Sequence, residues 1–383
     1  MHITIRTAVL FLSSTLFLGC NSKNKDQITL ENAMAQSSKS NVSLATYERM
    51  NPFKNGFAQV QLNGKIGFIN KKGENIVPYQ YEYPHDFKDG FAVVENAKKY
   101  GFIDTKGKEI TPLKYDFAMD FENGKALVVS NKKWGFIDEK GKEIIPVIYE
   151  KANSFSGELG TVKLNGQWYI IDKMNNKKKV SCNCDVISSF DEGLAPIKID
   201  GKSGFMNKEG RVVIQPKYDL VFNFQEGLAS VTLNDKSGFI NTKGEVVVPL
   251  IYDGYPQFKD GLAAVNQNEK YGFIDKTGKL VIPMKYERVY DFENGLAGVY
   301  IDQKIGFINK KGEMIIPPVY DQIHTGEGII GVVGEGKGKF LDSTGKELFP
   351  EVYEDVYGFS DGVALVKQNG MWFYIDKKGK RVL

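Results

Sequence analysis

The chain has 383 residues, 42% of them hydrophobic and 25% charged, with 40 glycines, 25 phenylalanines and 19 tyrosines but only three histidines and three cysteines. That composition excludes a disordered or collagen-like chain, and a formal net charge of +3 gives no electrostatic case for a nucleic-acid partner. Length alone suggests two or three ordinary domains, yet so much glycine beside so many aromatics raises the question of an internal period.

Residues 1–19 read as an export signal, with one early cation, Arg6, and an apolar stretch from Ala8 to Leu18 that is too short to span a bilayer. The ending Phe17-Leu18-Gly19-Cys20 resembles the lipobox of bacterial lipoproteins, which implies cleavage before Cys20 and lipidation of its thiol. The alternative is an ordinary secretory signal with a chance cysteine, against which stands the position of Cys20 at the end of the apolar stretch, with no other cysteine before Cys182. Residues 20–43 are rich in Ser, Asn, Lys and Gln and read as a flexible tether carrying the lipid at its first residue.

From residue 44 to 383 the chain is one array. The segments Lys65-Ile66-Gly67-Phe68-Ile69-Asn70, Tyr100-Gly101-Phe102-Ile103-Asp104, Trp134-Gly135-Phe136-Ile137-Asp138, Ser203-Gly204-Phe205-Met206-Asn207 and Tyr271-Gly272-Phe273-Ile274-Asp275 repeat with a period of 34 residues. Ten copies run from Tyr47 to Leu383; the fourth is one residue longer, the ninth one shorter and the tenth truncated. Each reads Tyr-acid, Phe-x-x-Gly-Leu-Ala-x-Val, a polar turn, aromatic-Gly-Phe-Ile-Asp/Asn, x-x-Gly-Lys, then an Ile/Val stretch ending in Pro. This pattern resembles the WG (KWG) repeat family over nearly the whole mature chain, with the naming dipeptide intact at Trp134-Gly135. The resemblance implies an extracytoplasmic or interaction-type repeat protein and names no ligand or reaction.

The residues independently predict an all-β fold. Apolar runs such as Leu262-Ala263-Ala264-Val265 and Leu280-Val281-Ile282 are too short for a helical stripe, and hairpin signals such as Asn234-Asp235-Lys236 separate them. Each unit reads as three or four short antiparallel strands, with Pro249, Pro283 and Pro317 at a strand terminus or edge. Twenty-five of the glycines fall at three recurring positions: two in turns, where positive φ suits them, and one within the Gly-Phe-Ile strand, where another backbone or a covering aromatic must come close. Units this small must stack to bury their faces. Either a propeller-like ring or an open superhelical β-array satisfies that demand. The chain begins and ends in the same phase of the repeat, with no strand obviously shared to lock a ring, so an array of propeller-like sheets is expected, with closure left open between the two arrangements.

Chemistry is sparse. The acid after each Tyr position, from Glu48 to Glu354, and the Asp or Asn after each Gly-Phe-Ile segment, from Asn70 to Asp376, recur in all ten units. A row of carboxylates suits calcium, but Asp or Asn before a turn glycine ordinarily shapes the turn, and a lysine of the next unit is the ordinary partner for the other set. His85 and His324 lie in different repeats and offer no metal or Ser-His-Asp constellation. Cys182 and Cys184 share one face of an extended segment; local packing, a disulfide and a soft-metal site all remain open. Gly331 to Lys339 has phosphate-loop spacing, but Gly338 stands where Ser or Thr would meet magnesium and no helix pattern follows, so a loosened hairpin is expected. Trp134, Trp168 and Trp372 are candidate ligand-contact aromatics, with packing between units as the competing role.

These features lead to an expected function: a lipid-anchored bacterial cell-envelope protein on the outer-membrane or periplasmic side, held to the membrane only by its N-terminal lipid. Its array would serve as a binding or scaffolding surface for an envelope protein or glycan, with no catalysis, cofactor or nucleic acid. Two alternatives stand beside it, an envelope hydrolase acting on glycan with carboxylates in the atypical fourth, fifth or ninth units, and a purely structural envelope protein.

Overall fold

Residues 47–383 are described by a computed structural model; the export signal, Cys20 and the whole tether lie outside the described residues. The first unit shows how the sequence becomes a sheet. Strands β1 (Arg49–Met50), β2 (Phe57–Leu62), β3 (Lys65–Asn70) and β4 (Asn75–Tyr81) pair antiparallel in chain order. Lys54 and Phe57 exchange both backbone hydrogen bonds around Asn55 and Gly56, whose φ values of 54° and 89° are those of a two-residue hairpin turn. Asn63 and Gly64 (52° and 72°) turn β2 into β3 in the same way. Between β3 and β4 the Asn70 Oδ1 accepts the backbone N–H groups of Lys72 and Glu74 at 2.9 and 3.0 Å. Every unit repeats this last device, through Asp104 in the second to Asp376 in the tenth.

Ten such sheets follow one another, and no helix occurs among the described residues. The second, ninth and tenth have three strands. In the second, Pro84 supplies no N–H where β1 would pair, and only the bonds from Glu82 N–H to Glu95 O and from His85 N–H to Val93 O hold that path.

The strand glycine answers to backbone. A Cβ on Gly238 would lie 2.4 Å from Val248 O and 2.6 Å from Pro249 O, and Gly67, Gly101, Gly135, Gly204, Gly272 and Gly306 are equally crowded. At each of these glycines the pairing with the last strand shifts register, a bulge that presses the proline backbone onto the glycine. The prolines therefore do not end their strand as the sequence suggested: Pro249 sits in the middle of Val246–Tyr252, at the bulge and on the exposed side of an edge strand. The fourth, ninth and tenth units carry Tyr169, Lys339 and Phe373 in place of that glycine. In the fourth the last strand pairs in regular register and is only Lys177–Lys179, and in the tenth only a bridge from Ile375 to Arg381 remains.

The array closes into a ten-bladed propeller, the ring of the two arrangements that the sequence left open. Between successive blades the Phe of the β3-type strand stacks on a Phe just before the next blade's β2-type strand, as in Phe68–Phe87 and Phe205–Phe224, with ring centroids 4.9 and 4.8 Å apart. Tyr374 and Phe53 reproduce the contact from the tenth blade to the first at 4.7 Å, and the Tyr374 hydroxyl donates to Asn51 O at 2.7 Å. The turn hydrogen bonds repeat too: Gly227 N–H to Glu192, Gly295 N–H to Asp260 and Gly362 N–H to Glu327 span 35 residues each, and Gly56 N–H makes the same bond to Asp361 across 305. Lys71 reaches Asp361 O as Lys276 and Lys310 reach Glu226 O and Asp260 O. No strand is shared; side-chain contacts of the ordinary seam suffice.

Because Phe53 fills a seam and not a free end, Phe53→Ala should cost about 3–5 kcal/mol of stability, as much as Phe224→Ala in the middle of the chain. Urea denaturation of residues 44–383 checks this; a terminal unit of an open array would lose far less. Gly238→Ala should be among the most destabilising single-methyl changes in the chain, whereas an alanine at Asn131 should cost well under half as much, a comparison that thermal melts can make.

Candidate binding surface

Two edges of every blade remain exposed, one at the β1-type strand and one at the β4-type strand, and they differ in chemistry. The β4-type edge exposes aliphatic residues such as Ile148, Ile251 and Val319. The β1-type edge adds aromatic residues and Met119 to aliphatic ones such as Val186 and Leu220: Tyr83 is 69% exposed and Tyr255 61%, with Phe117, Met119 and Tyr290 less so. The latter occupy the first three positions after the recurring Tyr-acid pair in the second, third, seventh and eighth units, and form a band along the β1-type edge of those blades. Its members touch in groups. Phe117 lies against Tyr100 and Trp134, Phe222 against Tyr255, Tyr290 against Tyr300 with the Arg288 guanidinium 4.8 Å from the Tyr300 ring, and Tyr357 between His324 and Trp372.

The acids beside this band are occupied. Glu48, Glu150, Asp185, Glu287 and Glu354 accept a backbone N–H from the β2–β3-type turn of their own blade. Glu82, Asp116, Asp219, Asp253 and Asp321 take a lysine as well: Lys65, Lys99, Lys202, Lys236 and Lys304. Each lysine precedes its acid by 17 residues, so the partner comes from the unit before, not the unit after as the sequence suggested. These five carboxyls are held below their ordinary pKa, first by the lysine and next, for all but Asp253, by the turn N–H. Among the described residues no group of three or more His, Cys, Asp or Glu converges in metal-binding geometry.

A family model for the WG containing repeat matches the chain ten times in tandem, at 41–65, 66–100, 100–134, 134–168, 170–202, 204–236, 238–271, 271–304, 305–337 and 340–372. The chain belongs to the WG repeat family. A comparison with curated proteins finds no match. Among solved structures the chain is similar to a eukaryotic initiation factor, at 12% identity over 77% of this chain and 95% of that one with a TM-score of 0.46. It is also similar to BamB from Moraxella catarrhalis, at 11% identity over 78% and 95% with a TM-score of 0.34.

The residue before the WG glycine supports the exposed band from beneath. Trp134 and Trp372 are half-buried against Phe117 and Tyr357. Trp168 is 2% exposed inside the cluster of Ile170, Val180, Cys184 and Phe190, and it cannot reach a ligand at the surface. Cys184 takes the place of the buried Tyr and is itself buried; its sulfur is bonded to that of Cys182, with Cα atoms 5.3 Å apart. Gly331 to Lys339 forms the tip of an ordinary hairpin, Ile329–Gly334 against Lys337–Leu341, with its turn at Glu335-Gly336.

His85, also on the band, joins two blades through a 2.7 Å contact of Nδ1 with Asp120 Oδ1. His324 is packed on Tyr357, and burial lowers its pKa. Reading the sequence for residues common to all copies missed Tyr83, Tyr255, Phe117, Met119 and Tyr290. The signal that finds them is the opposite one, the three positions after the Tyr-acid pair, whose occupants change from copy to copy and are large and aromatic in some copies only.

The two kinds of ion pair predict opposite pH responses. The Asp120 carboxylate raises the His85 pKa, so its stabilisation is complete below about pH 6.5 and disappears as pH rises through the folded value. His85→Gln should therefore lower the melting temperature at about pH 6 and make little difference at pH ~9. The lysine-paired carboxylates contribute above about pH 4 and lose that contribution as pH falls through their depressed values. Asp219→Asn should thus narrow its gap to the parent protein on acidification, in the same melting series.

Proposed function

We propose that this WG-repeat propeller is a lipid-anchored protein of the bacterial cell envelope whose β1-edge band binds an envelope protein or a glycan, without catalysis of its own. The observation that carries the reading is the band itself: large Tyr, Phe and Met side chains exposed within the three positions after the Tyr-acid pair on the second, third, seventh and eighth blades, with Phe117 braced by Tyr100 and Trp134. Aromatic faces with polar tips suit both sugar rings and protein hot spots. The repeated carboxylates are committed to turns and to lysines of neighbouring blades, which favours a structural role for them over catalysis. The anchor rests on the lipobox-like Phe17-Leu18-Gly19-Cys20, and the polar stretch up to residue 43 gives the reach that holds a propeller clear of a lipid surface.

Crosslinking and affinity capture from the native cells, with the parent protein beside Cys20→Ala and the double variant Tyr83→Ala/Tyr255→Ala, tests each part separately. Incorporation of labelled palmitate should be lost with Cys20→Ala alone. The double variant should stay anchored, melt within a few degrees of the parent and lose about tenfold or more of its captured partner, in line with the loss of two interface anchors. Equal capture by the double variant would remove the band from the proposal, and glycan turnover abolished by a single carboxylate change in the fourth, fifth or ninth unit would replace it with a hydrolase.

A further inference from the structure

Seven of the ten seams share one plug, a Phe of one blade stacked on the next blade's Phe at 4.5–5.1 Å between centroids. The closing seam uses Tyr374 on Phe53, and the seam from the fourth blade to the fifth packs Ile170 with Phe190. At the seam from the eighth to the ninth blade the plug is missing. Phe307 stands ready on the eighth blade, but in the ninth the place of the partner Phe, three residues before the turn glycine, is held by Thr325. The one-residue deletion in that unit has the same origin. Gln322–Gly326 runs as an unbroken strand in regular register with Ile329–Gly334, without the extra residue that swings a Phe inward in the other blades.

A cavity of about 280 Å³ occupies this place, walled by Leu296, Phe307, Ile323 and Ile330. Gly298 presents no side chain where the first three units have Gln59, Val93 and Leu127, and the Tyr290 ring and Ile323 cover that side instead. The volume exceeds that of cavities of roughly 150 Å³ that hold a benzene ring. Its lining is one-sided in charge. Asp291, Glu293 and Glu327 contribute carboxylates, and no Lys or Arg lines it. Glu327 is engaged by Lys377 at 2.9 Å and by Gly362 N–H, whereas Asp291 and Glu293 make no ion pair among the described residues, although Lys259 lies within electrostatic reach of Asp291.

We infer that the seam between the eighth and ninth blades is a binding site for a small arylalkylamine. Its ring takes the place of the absent Phe against Phe307, and its ammonium group meets Asp291 and Glu293 at the mouth. The ring replaces a contact that the rest of the propeller makes from within, and the ammonium ion is the group that two unpaired carboxylates beside an apolar cavity select. The site borders the exposed band at Tyr290, but its argument uses neither the anchor nor the partner proposed above.

Phenethylamine, benzyl alcohol and phenylacetate, titrated into residues 44–383 and followed by ligand-observed NMR and calorimetry, test the site. Phenethylamine should bind best and phenylacetate worst. Thr325→Phe, on the same strand face as Ile323, should abolish binding of all three and raise the melting temperature by filling the void. Asp291→Asn should weaken phenethylamine by at least about tenfold, the scale of one charge-assisted hydrogen bond, and leave benzyl alcohol unchanged. If Thr325→Phe does not fold, Gly298→Ala serves in its place, because the added methyl meets only the movable Tyr290 and Ile323 side chains, and it should weaken phenethylamine and benzyl alcohol alike. No binding of any probe, equal binding of amine and carboxylate, or unchanged binding in both cavity-filling variants would overturn the inference.

Discussion

The structure depends on one contact made between units, the aromatic ring of one blade set against the next. A repeat of this size has too little surface to bury its own apolar faces, so its stability lies in the seam. The hydrophobic clusters follow that logic: one of them runs from Phe102 and Tyr115 of one blade to Phe121, Ala126 and Ile137 of the next. Burying one such ring is worth about 1.5–3 kcal/mol, and pairing two in edge or tilted geometry adds to it. Ten seams are needed if every blade is to have two covered faces. Closure thus follows from the same demand as stacking: an open array would leave the faces of Phe53 and Tyr374 wet.

Two other devices serve that contact. The bulge that sets the proline strand upon the WG glycine bends each blade's last strand, and the turn after the β3-type strand brings a second glycine onto the blade before. A Cβ at Gly107 would lie 2.8 Å from Ile76 O, one at Gly141 2.8 Å from Ile110 O, and across the closing seam Gly73 faces Leu383. Glycine abundance is therefore a packing requirement as much as a conformational one. The recurring acids complete the arrangement by fixing the hairpin tips, and where a lysine joins them they tie consecutive units together.

Much of this was legible in the sequence because it repeats. Ten copies average away local noise, so strand type, turn positions and the structural use of Asn70 and its equivalents could be read from one another. Closure could not be read, because its residues are the ordinary seam residues: nothing in Asp361 or Gly56 marks the bond between them as spanning 305 residues where its counterparts span 35. The proline was misplaced for a different reason. A bulge lengthens a strand without changing its residue types, so Pro249 looked like an ending when it was a middle. The candidate surface was the least legible part. Tryptophan drew notice as the rarest aromatic, yet Trp168 is core, and Tyr83 and Tyr255 were lost among 19 tyrosines.

A repeat protein separates its two tasks by position. Residues that make the seam must stay the same, since each serves two blades and a change in one unit damages its neighbour. Residues at the β1-type edge lie outside the apolar plug of the seam, though some touch the neighbouring blade, as Phe117 does Tyr100, and Tyr83, Phe117, Lys151, Val186, Leu220 and Arg288 stand at equivalent places with no common chemistry. Variation at that edge costs the fold little and gives the ring a surface that differs from blade to blade. Variation in the seam is another matter: the missing plug in the ninth unit removes apolar burial that every other seam keeps, and the unit still folds as a blade, with His324 and Tyr357 packed across its far side. A defect of that kind in a closed ring lowers stability at one place, and the nine remaining seams hold the geometry while the tenth is left open to a guest.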